Sequence, residues 1–432
     1  MSGAITILGS SVLALLLAGY LAQKYLPPPK PKIVGIDLGT TFSCIGVYQA
    51  VSGNVDVVQD SEGHRCIPSI VAFSEDEVVV GYKAAAQQEH NPENTVYDAK
   101  RFIGKQFSKE ELAGEAARYP FKMVADEYGM VKYVIQHKNN ISQYSPEYIG
   151  SQILRTLKQT AERNLTVPVT RAVITVPAEF NEVQRNYTRK AAEMAGLDVF
   201  RIINEPTAAA MAYGLHKKDR VRNVLVVDLG GGTLDVSLLN IQGGMFLTQA
   251  MAGNNHLGGQ DFNQRLLLYL KNQIEQKYGQ NLTDPEDLQN LRHLVEDLKI
   301  NLTATHQSTF TFQIKSYSHQ PTYTNTLTRG QFEDLNIDLF KKVLVPIEKV
   351  LEATELHPSE VDEIVLVGGS TRIPKIREMI QEYFGKSLNV GIDPDLAVVS
   401  GVSIQAGIIG GMWPLKVSAI ELPTKSKKIH VT

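Results

Sequence analysis

The chain has 432 residues, with 43 basic and 46 acidic side chains and a hydrophobic content of 43%. That mix excludes a disordered or collagen-like chain, and the length suits two lobes with sizeable cores. A net charge of −3 gives nucleic-acid binding no electrostatic footprint, and two cysteines, Cys44 and Cys66, exclude a disulfide scaffold or Cys-based zinc cage but leave the redox compartment open.

Residues 1–23 contain no charged side chain, and Ile5 to Ala22 is rich in Leu, Ala, Val and Ile. The length fits a signal peptide or a barely spanning helix. No Lys or Arg precedes the apolar stretch, and Tyr20 spoils the small-residue pattern before Ala22. Cleaved signal and uncleaved anchor therefore both stand. They place the body differently. Lys24, Lys30 and Lys32 follow the stretch, so an anchor would hold the body in the cytosol, whereas a cleaved signal would release it into the lumen. Residues 24–32 are rich in Pro and Lys and read as an extended spacer.

From Ile33 the pattern becomes an alternation of strands and helices, which argues an α/β fold. Strands are expected at Ile33–Asp37, Ser43–Tyr48, Ala172–Val176, Val224–Asp228, Val236–Leu239 and Ile364–Val367. Ser145-Pro146-Glu147 marks a helix start, and Ile149, Ile153, Leu157 and Ala161 follow on one face. Helices are also expected at Gly259–Tyr278, Glu286–Leu302, Pro374–Phe384 and Leu396–Ile408.

Two segments resemble each other. Asp37-Leu38-Gly39-Thr40-Thr41 and Asp228-Leu229-Gly230-Gly231-Gly232-Thr233 each lie between two strands, and 191 positions separate the two Asp residues. A repeat at half the body length implies duplicated lobes. Gly-rich turns let backbone N–H groups approach an anion, and Thr40, Thr41 and Thr233 add hydroxyl donors. One turn from each lobe would clamp a polyphosphate. Asp37 and Asp228 at its mouth suit Mg²⁺, which keeps waters and needs few protein ligands. A third turn, Gly368-Gly369-Ser370-Thr371-Arg372, follows a strand and precedes a helix. Its amides suit an anion or a nucleotide sugar, and Arg372 can stack on a base. Gly385-Lys386-Ser387 is not a P-loop, because position 380 is Ile. The ten His residues show no metal-ligand spacing.

These turns, together with Asn204-Glu205-Pro206-Thr207-Ala208-Ala209-Ala210, Tyr97–Arg101 and Leu257–Phe262, resemble the ATPase domain of the seventy-kilodalton heat-shock chaperones. The match runs from about Ile33 to Ile409, and within the family it is nearest to the microsome-associated, core-only type. The resemblance implies an actin-like α/β ATPase fold of two duplicated lobes, 33–220 and 221–410, with four subdomains around a central nucleotide cleft. It implies binding of Mg²⁺ with ATP or ADP by Asp37, Gly39, Thr40, Thr41, Gly230, Gly231, Gly232, Gly259, Glu296, Lys299, Thr303, Gly368, Gly369, Ser370, Arg372 and Asp395. Lys100, Glu205, Asp228, Thr233 and Asp235 would position the attacking water, with Mg²⁺ near Asp37 and Asp228 and K⁺ beside them. Phosphoryl transfer to water needs such positioning and charge neutralisation more than covalent help.

The sequence departs from the family at four places. Ile300 replaces one of two Arg residues that sandwich the adenine. Glu179 replaces an aromatic residue near the relay positions Pro177 and Arg185, and Leu234 replaces another aromatic. Residues 411–432 read as a short tail with no room for a peptide-binding β-sandwich, and the final Ile429-His430-Val431-Thr432 is not a luminal retention signal. Arg201 matches a position that contacts J-domain co-chaperones, and nucleotide-exchange factors would be further partners.

Five Asn-x-Ser/Thr sequons occur, at Asn140, Asn164, Asn186, Asn281 and Asn301, where ordinary composition gives about two. The excess favours a luminal body. The sequence reading is therefore a slow ATPase of the endoplasmic reticulum, probing no nucleic acid and lacking its own peptide-binding half. Two alternatives stand beside it: a nucleotide-gated interaction module without turnover, and a small-molecule kinase.

Overall fold

A computed structural model of the chain describes residues 33–411 apart from 75–76 and 138–139, together with 14–15, 17–18, 420–422 and 427–430. The expectations for a leader at 1–23 and a spacer at 24–32 therefore lie, four positions aside, outside the described residues. No helix among the described residues is long and apolar enough to cross a membrane.

Two sheets of matching design form the body. In the first, β1 (Val34–Leu38) and β2 (Phe42–Gln49) make an antiparallel hairpin. Strands β3 (Asn54–Val57) and β4 (Cys66–Pro68) extend it along the outer edge of β2. On the other side β1 pairs in parallel with β5 (Arg171–Val176), which pairs in parallel with β6 (Asp198–Asn204). The second sheet repeats the plan. Strands β7 (Asn223–Leu229) and β8 (Leu234–Gln242) form the hairpin, β9 (Met245–Asn254) extends it, and β10 (Glu363–Val367) pairs in parallel with β7. The repeat read from the two Asp-Leu-Gly turns is thus a repeat of whole sheets.

The strands are near-continuous apolar runs because helices cover both faces. Helix α1 (Pro146–Leu165) begins at Ser145, whose hydroxyl accepts the Tyr148 N–H, and α2 (Glu182–Met194) begins with a reciprocal Asn181–Gln184 cap. Helix α3 (Glu205–Ala212) follows β6 directly. In the second lobe, α4 (Gly259–Tyr278) ends at Gly279 in the left-handed conformation, and α5 (Pro285–Ala304) is capped by Asp284. Helices α6 (Pro374–Phe384) and α7 (Ala397–Ile409) complete the elements that position the site.

Three cores result. One lies under each sheet, and the third joins them: Ala208, Ala210 and Met211 of α3 pack with Val226, Val365, Val402 and Ala406. Helix α7 also covers β1, β2 and β5, so it buttresses the first sheet. The approach of α7 to α3 is close enough to demand glycine. A Cβ on Gly401 would lie 1.7 Å from the Ala208 carbonyl oxygen.

Residues 420–421 and 427–430 form strands β11 (Ile420–Glu421) and β12 (Lys427–His430), both paired in parallel with β9. The sequence reading of 411–432 as a tail gave no sign of these strands. They complete the outer edge of the second sheet.

Candidate functional site

The two Gly-rich turns join hairpins that meet across the cleft. In the first, Ser69 props the loop from the end of β4. Its hydroxyl donates to the Gly39 carbonyl at 2.8 Å, its N–H donates to Thr41 at 2.8 Å, and it bonds Ser43 at 2.8 Å. A Cβ on Gly39 would lie 2.1 Å from the Phe42 carbonyl oxygen, so only glycine fits. In the second turn, the Gly230 N–H donates to Thr233 at 3.0 Å. The Gly230 carbonyl accepts from Gly259 N–H at 3.1 Å and from the Ser370 hydroxyl at 2.9 Å. The Gln260 N–H likewise donates to the Gly231 carbonyl at 2.7 Å, so the start of α4 is fixed against the turn. The turns face one another: a Cβ on Gly231 would lie 3.2 Å from Thr41 Oγ1.

Between the turns sits a group of charges from both lobes. Lys100, on a short 3₁₀ turn, donates to Glu205 at the first position of α3. Asp37 ends β1 and accepts from the Thr175 hydroxyl at 2.9 Å. Asp228 and Asp235 are register partners across the β7–β8 hairpin. Burial, followed by the Glu205 charge, pushes Asp37 up to about 6. Burial, then Glu179 and Glu205, pushes Asp235 up to about 7. Asp228 is held well above the carboxylate range by burial and then by Glu205, Asp235 and Asp37. Burial works against the Lys100 charge, but Glu205, Asp37 and Asp228 outweigh it and raise the ammonium above the ordinary lysine value.

This arrangement has four carboxylates against one ammonium. Adding a polyphosphate to it without a cation would be strongly unfavourable. Among the described residues no group of three or more His, Cys, Asp or Glu side chains is placed to hold a metal by itself. That excess of carboxylates fits Mg²⁺, which takes few protein ligands and is completed by phosphate and water. Asp37 and Asp228 are the residues that would hold it.

The third turn lies beside the second. Gly368 has φ +82°, and its N–H donates to the Pro394 carbonyl at 3.0 Å. Gly369 packs on the Asp395 carboxylate, where a Cβ would lie 2.9 Å from Oδ1. Arg372 pairs with Asp393 and, at 2.9 Å, with Asp395. On α5, Lys299 pairs with Glu296 at 2.8 Å and lies 3.1 Å from where a Gly259 Cβ would be. The Thr303 hydroxyl is turned onto its own helix, donating to the Ile300 carbonyl at 2.7 Å. Ile300 itself is 54% exposed.

The lobes close over this site. Arg101 of the first lobe donates to the Asn255 carbonyl at 3.2 Å and the Gly232 carbonyl at 3.4 Å, and Arg118 bonds His256 at 2.8 Å. A cavity behind it is lined by Glu179, Glu205, Asp228, Asp235, Lys428 and Ile429. Two tail residues reach the first lobe there. Glu421 accepts from the Asn204 N–H at 2.8 Å, directly before Glu205, and Lys428 donates to the Glu179 carbonyl. Arg185 donates to the Asn204 side chain at 2.6 Å.

Sequence reasoning missed Thr175, Ser69, Arg101, Asn263 and Glu421. Thr175 breaks an apolar strand with a buried hydroxyl, a signal that was available. Asn263 bonds Glu296, and Glu421 reaches Asn204 from 217 residues away; neither contact has a local signature.

The family model described as Hsp70 protein matches residues 33–423. The chain belongs to the Hsp70 family. It is 53% identical to Heat shock 70 kDa protein 13 of Bos taurus and 52% identical to the proteins of that name in Homo sapiens and Rattus norvegicus. Each alignment covers 98% of both chains. The two-lobed α/β architecture is that of the Hsp70 ATPase domain, consistent with an actin-like ATPase fold, and this family uses ATP or ADP with Mg²⁺.

Proposed function

We propose that this Hsp70-family chain binds Mg²⁺ with ATP between its lobes and hydrolyses ATP slowly to ADP and phosphate. The observation that carries the reading is the pair of facing Gly-rich turns around Lys100, Glu205, Asp37, Asp228 and Asp235. The turn amides and the hydroxyls of Thr40, Thr41 and Thr233 would hold the phosphates. Lys100 would place positive charge beside the terminal phosphate. When bound, Mg²⁺ neutralises phosphate charge, and K⁺ would add to that neutralisation near Asp37 and Asp228. Glu205, Thr233 and Asp235 would orient the attacking water. Asp235, poised near neutrality, suits transient acceptance of its proton. Glu296, Lys299, Thr303, Ser370 and Arg372 would hold the nucleoside.

We place the body in the lumen of the endoplasmic reticulum. Cys44 and Cys66, register partners on β2 and β4, are joined as a disulfide. Disulfides persist in oxidising compartments and are rare in the cytosol. The sequon excess supports the same side. There the protein would act as a chaperone-related ATPase that works through J-domain co-chaperones and exchange factors.

Phosphate release by residues 31–432 in potassium buffer, with Lys100→Ala and Asp228→Ala beside it, tests the proposal. Slow release abolished by Lys100→Ala is expected. Tight nucleotide binding without release, weakened by Asp228→Ala, would instead establish a gated module in which lobe closure selects partners. Phosphate appearing on an acceptor with none released would establish a kinase.

A further inference from the structure

Of the five sequons only Asn301-Leu302-Thr303 overlaps the proposed nucleotide site. The asparagines at all five are exposed, so exposure does not separate them. Conformation does. In a helix, residues i and i+2 do not face each other. Asn186 and Asn301 lie inside α2 and α5, and their partner hydroxyls are turned away. Thr188 is 2% exposed and donates to the Gln184 carbonyl at 2.9 Å, while Thr303 is bound to Ile300. Asn164 lies in the last turn of α1, and the Thr166 hydroxyl donates to the Leu165 carbonyl at 2.7 Å. Asn140 is paired with His137 in a hairpin, and Ser142 is half-buried.

Asn281 differs. It lies in the non-helical connection between α4 and α5. Leu282 is fully buried, and its N–H donates to the Glu275 carboxylate at 2.8 Å. The preceding Gln280 carbonyl accepts the Tyr317 hydroxyl at 2.6 Å. The inward anchor of Leu282 leaves both Asn281 and Thr283 exposed. Among the described residues no hydrogen bond engages either side chain. Amide and hydroxyl are thus available together.

We infer that Asn281 is an N-glycan acceptor of this protein, a reading that rests on the luminal placement above. Its Nδ2 would bond to the anomeric carbon of a lipid-diphosphate-linked oligosaccharide. The anomeric C–O bond breaks, the lipid diphosphate leaves with the electron pair, and an amide proton passes to a base of the transferase. The position is compatible with an open cleft. Helix α4 starts at the second phosphate turn and has 20 residues, so Asn281 lies about 30 Å from that turn. Asn301 neighbours Ile300 and stands two positions from Lys299, where a glycan would crowd the nucleoside.

The test is synthesis of the full chain with microsomes, read by protease protection and by glycosidase-sensitive mobility. The expected result is a protected body with one increment that is lost in Asn281→Gln and in Thr283→Ala and retained in Thr283→Ser. ATP affinity is unchanged in all three. A protected body with no shift, or with a pattern from which Asn281→Gln removes nothing, overturns the inference while sparing the luminal reading. Digestion without detergent overturns both.

Discussion

Lys100 and Glu205, 105 residues apart in the chain, form an ion pair within the interlobe site. The two side chains come from different elements of one lobe, yet the carboxylates that raise the Lys100 pKa include Asp228 of the other. The proposed nucleotide chemistry and the contact between the lobes would therefore share one electrostatic group. Neutralising Glu205 tests that link. Glu205→Gln keeps an acceptor for Lys100 but removes its charge. Phosphate release should fall by roughly 10²–10⁴-fold, the range for a lost acid–base or water-orienting group, with ATP affinity changed only a few-fold. Single-turnover release and equilibrium binding, measured side by side, check this.

The exposed Ile300 makes a second prediction. An Arg at this position would add a cation over the base, a contact of roughly 0.5–2 kcal/mol. Ile300→Arg should tighten ATP by about 2- to 30-fold and alter the ATP-to-GTP ratio. Calorimetric titration with both nucleotides decides it; unchanged affinities would remove Ile300 from the base site.

The Cys44–Cys66 disulfide closes a loop of 22 residues. By loop entropy, it should contribute about 3 kcal/mol. It also holds β4, and hence Ser69, against the first Gly-rich turn. The double variant Cys44→Ser, Cys66→Ser should lower the urea midpoint accordingly and weaken ATP binding. Loss of stability with unchanged binding would separate the bridge from the turn.

Asp287, buried in the first turn of α5, accepts from Lys315 N–H at 3.0 Å, Ser316 N–H at 2.9 Å and the Ser316 hydroxyl at 2.5 Å. Burial opposes its charge, but the Ser316 and Lys315 hydrogen bonds outweigh it and lower the pKa. A carboxylate with a depressed folded pKa contributes stability that is fully present above the unfolded value, about 3.9, and is lost as pH falls through the lower folded value. Asp287→Asn should therefore cost about 1–3 kcal/mol at pH 7, and the gap to the parent chain should shrink below about pH 4. Urea midpoints across that range check the sign. A gap that does not narrow would mean that packing, not charge, is the source.

Much of the site was legible in the sequence because it is built from local backbone. Gly39 and Gly368 sit in turns whose geometry requires glycine, and each Gly-rich turn lies within a few residues of sequence. The repeat of Asp37 and Asp228 likewise announced two hairpins. Strand and helix positions followed from periods of apolar residues and from the Ser145 cap, which acts over three or four positions.

The long-range pairings were decided by the tertiary structure alone. Nothing near Lys100 announces Glu205, and nothing in the tail announces that Glu421 reaches Asn204 or that β11 and β12 join β9. The sequons at Asn281 and Asn301 are identical, and the expected helices already set Asn301 inside Glu286–Leu302 and Asn281 between two helices. The buried anchor of Leu282 that leaves Asn281 and Thr283 exposed comes only from the structure. Local conformational preference fixes turns and elements. Which charges meet, and which exposed groups face the same way, depends on how the two sheets pack around α3 and α7.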